Sequence, residues 1–254
     1  MISREQLVDI GKTTGLHLYQ QEKDYLLKLF LYTYFRLFDN AVFKGGTCIK
    51  YVFGLDRFSE DLDFNLLTSP KSFQKQVDRS LKELHLMGVT SYYIKKELFK
   101  DAYTSVIGFQ GPLYQGNKQT RNKFRIDAGK RTGTIKTPEW RLVSSEYPET
   151  GERFLVQIMD EQEILVEKIC SLMKRHKGRD LYDVWLLLEK GVDVDEELLH
   201  KKMEKHGLFS KALNKPILPS QREYERDIGK LTSRIIPYAQ VKKDIQKGLK
   251  QVMS

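Results

Sequence analysis

Two aspartates separated by one residue, Asp61 and Asp63, stand in a stretch that otherwise reads as a buried strand, "EDLDFNLL". Residues two apart on a strand share a face, so both carboxylates point one way while Leu62 and Phe64 point into the core. Like charges this close repel unless something positive lies between them. Mg²⁺ answers that need, because it prefers hard oxygen ligands and often takes one or two carboxylates together with substrate phosphates. The competing reading is a solvated pair on an open sheet face. One helix upstream, Gly45 and Gly46 in "KGGT" mark a strand-to-helix turn. Glycine there lets the backbone approach a ligand, and the helix N-terminus presents N–H groups suited to phosphate. Thr47 adds a hydroxyl. In "KFRIDAG" Asp127 shares a strand face with Arg125, opposite Phe124 and Ile126. It is either the third carboxylate of a two-metal set or the partner of a neighbouring lysine or arginine.

Further candidates lie on either side. Lys168 interrupts the apolar stripe formed with Ile164 and Leu172, and a lysine placed inward needs an anionic partner or a ligand. Asp180 or Asp183 would supply the partner. Asp180, in "GRDLYD", also suits a helix N-cap, with Asp183 one turn on. Arg57 and Ser59 precede the aspartates. Arg57 is placed either to meet a phosphate or to pair with Glu60.

The elements that must position these residues follow from periodicity. Helices are expected over residues 4–15 and 20–38, the second apolar on most faces and therefore buried. A short strand at 41–43 runs into a helix at 47–53, and a strand at 62–66 follows. Residues 70–87 read as an amphipathic helix with Ser69 as cap and Pro70 in its first turn. Strands are expected at 91–97, 103–110, 122–128 and 154–158, with the loop "GPLYQGNKQTR" closing a hairpin. After residue 158 the pattern turns helical. Asp160 and Glu163 have capping-box spacing, "RDLYDVWLLLEKG" ends at Gly191, and Pro216, Pro219 and Pro237 break the rest. The expected fold class is α+β: a mixed-sheet domain over 1–158 and a helical domain over 159–254.

The net charge is +9. Residues 201–254 hold 13 Lys/Arg against 5 Asp/Glu, and residues 114–141 hold 8 against 2, so the remainder is acidic on balance. Such segments suit a polyanion such as RNA or DNA, or are simply solvated lysine-rich faces. No apolar run approaches a membrane span, and the opening "MISREQLVDI" has no apolar signal-like core. Two cysteines, Cys48 and Cys170, stand in apolar settings without a CxxC, as expected of a cytoplasmic protein with buried thiols.

Together, "KGGTCIKYVFGLDRFSEDLDF" and "EKI…RDLYDVWLLL" resemble the AbiEii/AbiGii toxin family, whose members are built on the DNA polymerase β-like nucleotidyltransferase fold. The resemblance spans roughly residues 40–190. It implies a nucleotidyltransferase, with Asp61 and Asp63 holding Mg²⁺ (one ion or two), Asp127 fitting the third position, and the triphosphate of an NTP bound by Lys44, Gly45, Gly46 and Thr47 with Arg57 and Ser59 beside it. It places Lys168, Asp180 and Asp183 at the catalytic cleft. The implied acceptor is RNA, with tRNA 3′ ends foremost, pyrophosphate as the other product, and tyrosines such as Tyr114 available for stacking. It also implies a toxin–antitoxin or abortive-infection role in phage defence, with a DNA-binding antitoxin encoded nearby. Two rivals share the fold: a nucleotide- or RNA-binding module without turnover, and an enzyme that modifies a protein or small molecule.

Overall fold

The computed structural model describes residues 1–130, 133–208, 218–232 and 234–250. By contact the chain divides into two compact units: residues 1–52, 60–133 and 138–158 form one, and residues 53–59, 134–137 and 159–254 the other.

The first unit is built on a seven-stranded mixed sheet. In chain order its elements are α1 (Arg4–Thr14), α2 (Leu18–Leu37), β1 (Ala41–Lys44), α3 (Gly45–Phe53), β2 (Asp61–Leu66), α4 (Pro70–Leu86), β3 (Thr90–Leu98), β4 (Ala102–Gln110), β5 (Asn122–Gly129), β6 (Glu139–Ser144) and β7 (Arg153–Ile158). The strand order is β3-β4-β5-β2-β1-β7-β6. β2 lies antiparallel to β1 and parallel to β5, and β7 runs parallel to β1. The expected hairpin joins β4 and β5. Helices α2 and α4 cover one face. Phe30 of α2 meets Phe124, Tyr34 meets Phe64, and Phe73 of α4 meets Phe64 and Tyr103, all at ring-centroid separations of 5.6–5.8 Å. These aromatic pairs and the buried Leu62, Ile107 and Ile126 hold the inner face of the sheet, since burying each such side chain contributes about 1.5–3 kcal/mol.

Most local expectations hold to within two residues. α4 starts as its sequence suggests, with the Ser69 hydroxyl accepting from Ser72 N and Pro70 in the first turn. Strand β6 is not visible in the sequence. It is an edge strand whose Trp140 and Leu142 are exposed, so no buried alternation marks it. Helix α2 is buried on most faces but not by apolar residues alone. Asp24 is enclosed with Lys50 Nζ at 2.5 Å, Lys28 Nζ at 3.5 Å and the Tyr147 hydroxyl donating at 3.0 Å.

The second unit is helical: α5 (Glu161–Arg175), α6 (Gly178–Glu189), α7 (Glu196–Lys205), α8 (Gln221–Ile228) and α9 (Tyr238–Lys250). The break expected at Pro216 lies outside the described residues. Asp160 caps α5 by accepting from Gln162 N and Glu163 N. Glu163 does not return the bond. Its carboxylate accepts from the backbone of Ile135 and Lys136, each at 2.9 Å, and meets the wholly buried Lys202 at 2.6 Å. Both cysteines are buried and unpaired with each other. Among the described residues no helix is long and apolar enough to cross a membrane.

Candidate active site

In the first unit the turn and the aspartates are neighbours. β1 ends at Lys44, which sits opposite Asp63 in the β1–β2 ladder. The chain then turns at Gly45 with φ +81° and enters α3, so the helix begins two residues earlier than expected. A Cβ at Gly45 would stand 2.2 Å from Asp63 Oδ2. Glycine is therefore required twice over, by the left-handed backbone and by the carboxylate lying against it. Gly46 and Thr47 are buried in the first turn of α3, and the Thr47 hydroxyl donates to the carbonyl of Asp61 at 2.5 Å. That bond ties the helix N-terminus to the start of β2. First-turn N–H groups of a helix have no intrahelical acceptor and favour anions.

β5 adds the next row. Asp61 pairs with Arg125 and Asp63 with Asp127, and paired residues on adjacent strands share a face. Asp61, Asp63 and Asp127 thus lie on the face opposite Leu62, Phe64, Phe124 and Ile126, as their alternating burial also shows. Asp127 accepts from the Thr104 hydroxyl of β4 at 2.9 Å and is clasped by Arg125, with Nε to Oδ2 at 2.6 Å. The salt bridge expected as the alternative for Asp127 is therefore present, but both partners stay accessible, Arg125 at 51% and Asp127 at 35%. Burial, followed by the negative charges of Glu60, Asp63 and Asp127, pushes the Asp61 carboxyl above its ordinary value, against the pull of Lys23. Lys23 also holds Glu60, so the Arg57–Glu60 pair considered from sequence does not form. Arg125, Thr104 and Lys23 were not singled out by motif. Only the i, i+2 spacing of Arg125 and Asp127 signalled one of them.

Among the described residues no cluster of three or more His, Cys, Asp or Glu side chains is drawn in tightly enough to hold a metal ion by itself. The donor chemistry nevertheless suits a divalent cation. Three carboxylates share one face on adjacent strands, burial and then the neighbouring negative charges raise Asp61, and the absence of a side chain at Gly45 leaves room for the Asp63 carboxylate.

The second unit holds the remaining candidates, and most of them are paired. Asp183 is fully buried, with Arg57 Nε at 2.6 Å, Arg57 Nη2 at 2.7 Å and Lys168 Nζ at 2.7 Å. Burial alone would raise this carboxyl. Lys168 and Arg57 more than offset it and hold Asp183 below its ordinary value. Asp180 is not the N-cap of α6, because that position is Lys177; the Asp180 carboxylate instead takes Arg175 Nη2 at 2.7 Å and Nε at 3.1 Å. Its third-residue place in the helix still suits the positive end of the dipole. Ser59 is half-buried in the segment leading to β2. So one unit gathers Lys44, Gly45, Gly46, Thr47, Asp61, Asp63 and Asp127, and the other gathers Arg57, Lys168 and Asp183.

Solved structures give the class first. The fold is similar to MenT4, a nucleotidyltransferase toxin from Mycobacterium tuberculosis H37Rv, with a TM-score of 0.67 at 16% identity over 100% of this chain and 90% of that one. It is also similar to JHP933 from Helicobacter pylori, with a TM-score of 0.60 at 18% identity over 93% of each chain. At these identities the likeness is one of fold. No curated protein matches the sequence. The family model of the nucleotidyltransferase AbiEii toxin of type IV toxin–antitoxin systems matches residues 29–251. The chain belongs to that family; it is a nucleotidyltransferase toxin, and membership implies a cognate antitoxin.

Proposed function

We propose that this toxin transfers a nucleoside monophosphate from an NTP to RNA, with a tRNA 3′ end as acceptor, and releases pyrophosphate. The observation that carries the reading is the row of Asp61, Asp63 and Asp127 beside the Gly45–Thr47 turn. In it, Asp61, Asp63 and Asp127 would hold Mg²⁺, which would supply charge neutralisation to the transferring phosphate. Lys44, Gly45, Gly46 and Thr47 orient the triphosphate at the start of α3, where backbone N–H groups meet its oxygens. The acceptor hydroxyl oxygen bonds to the α-phosphorus as the bond to pyrophosphate breaks. Arg125, which pairs with Asp127 on the same face, would offer its guanidinium to phosphate.

In the same reading Arg57 and Ser59 also serve nucleotide binding, and Lys168, Asp180 and Asp183 serve the reaction. The nucleotidyltransferase domain is residues 1–158 and the helical domain residues 159–254. Blocking tRNA charging in the cytoplasm would produce toxicity, with phage defence as its use and a nearby DNA-binding regulator as antitoxin.

The test is incubation with each radiolabelled NTP, Mg²⁺ and total tRNA. Label should enter tRNA with the wild-type protein and not with Asp61→Ala. Label found only on protein or small molecules would replace RNA as the acceptor. NTP binding without labelling of anything would leave a binding module.

A further inference from the structure

The face that carries the aspartates continues across β5 and β4 to β3, and it changes character as it goes. Next to Asp61 on β5 is Arg125; two residues earlier on the same face is Lys123, which pairs with Gly108 of β4, which in turn pairs with Tyr92 of β3. Gly108 has no side chain, and Tyr92 uses the space. A Cβ at Gly108 would fall 2.4 Å from the Tyr92 ring, so the ring crosses β4 there. Arg121 lies beside it, with its guanidinium carbon 5.2 Å from the Tyr92 centroid and 5.4 Å from that of Tyr114, and its Nη2 donates to the Tyr114 hydroxyl at 3.3 Å. Tyr92 and Tyr114 are both half-exposed, and Lys123 is exposed.

The frame under this cluster is fixed. The buried Glu22 of α2 accepts from Leu113 N at 2.7 Å and from Asn122 Nδ2 at 3.0 Å, at either end of the β4–β5 loop. Within the loop, Asn117 caps Gln119 and Thr120, and the Thr120 hydroxyl accepts from Gln115 N. A partly exposed Tyr–Arg–Tyr cluster on such a frame does not serve the core. Its aromatic rings suit nucleobases, and its charge, joined by Lys123 and Arg125, suits the phosphates between them.

We propose that Tyr92, Arg121 and Tyr114 form a stacking platform for the single-stranded end of the acceptor RNA, with Lys123 tracking its backbone toward the aspartates. This rests on the RNA-acceptor reading above. Three strand spacings separate β2 from β3, about 14 Å, a gap that a short unpaired 3′ end can bridge. Duplex RNA offers no exposed base faces at its side, so the platform selects unpaired ends over helices.

The experiment is fluorescence anisotropy on the full chain, without NTP, using a short labelled single-stranded RNA and a blunt hairpin of the same composition. NTP affinity is followed separately with a fluorescent ATP analogue. Tyr92→Leu and Tyr114→Leu should each weaken single-strand binding about 10-fold, the scale of one lost base stack, with NTP affinity unchanged. Tyr92→Phe and Tyr114→Phe should retain it, and thermal melting of each variant checks the fold. Lys123→Ala should lower the slope of log affinity against log salt by about one. Leucine variants that bind single strands as the wild type does overturn the platform. So does loss of NTP affinity in step with RNA affinity, which would place the nucleotide's own base there, and so does equal binding of the blunt hairpin. Stack-dependent RNA binding without label entering any RNA would leave the platform standing and remove the transfer reading.

Discussion

The aspartates of the two units are held in opposite ways. In the helical unit Asp183 is enclosed by two cations and Asp180 by one, and each carboxylate is balanced by its surroundings. In the sheet unit Asp61, Asp63 and Asp127 crowd one another, with Arg125 engaging Asp127 and Lys23 engaging Glu60. The pKa values follow: burial raises both, Lys168 and Arg57 bring Asp183 below its ordinary value, and Glu60, Asp63 and Asp127 leave Asp61 further above it. A carboxylate whose charge is matched inside the fold stabilises it, whereas Asp61 is burdened first by burial and then by the acids beside it.

The sharpest way to break that comparison is to remove one acid from each set. Asp61→Ala should reduce labelling of RNA by about 10³-fold or more, the scale of losing a preorganised electrostatic contact, while the thermal midpoint stays level or rises. Asp183→Ala should instead destabilise the protein by about 3–5 kcal/mol, because it strands Arg57 and Lys168 as buried unpaired charges; urea unfolding followed by circular dichroism measures it. Equal stability loss in the two variants would erase the distinction.

Acid titration sharpens it further. Asp183 has a depressed native pKa, so its contribution is present above the ordinary aspartate value of 3.8 and fades as pH falls below that value. Asp61 has a raised one, so it costs stability as pH rises through its titration. In metal-free buffer at neutral pH, Asp61→Asn should therefore melt slightly higher than wild type, and added Mg²⁺ should close the gap. A smaller effect is expected at the turn. Gly45→Ala should cost about 1–2 kcal/mol for the left-handed backbone and should lose most labelling, because the new methyl displaces Asp63.

Much of the sheet-unit site was legible because its logic is local. The period of two put Asp61 and Asp63 on one face, and the paired glycines announced the turn. Asp127 was reachable by the same face argument, although nothing in one strand says which strand it will adjoin. The helical unit was harder. Arg57 and Asp183 meet across 126 positions of chain, so Arg57 was set against its near neighbour Glu60, which Lys23 takes instead. Asp180 also suited an N-cap, yet the helix starts two residues before it and Arg175 claims the carboxylate. Sequence periodicity reports faces and ends; it does not report which distant charge will arrive.

The place of β5 between β4 and β2 gives the carboxylate row an order of completion. Until residues 122–129 join, the growing chain holds two separate pieces of sheet, the β1–β2 pair and the β3–β4 hairpin, and only two of the three acids. The strand that welds those pieces is the one that delivers Asp127, so joining the two parts of the sheet and completing the row of three carboxylates are one event.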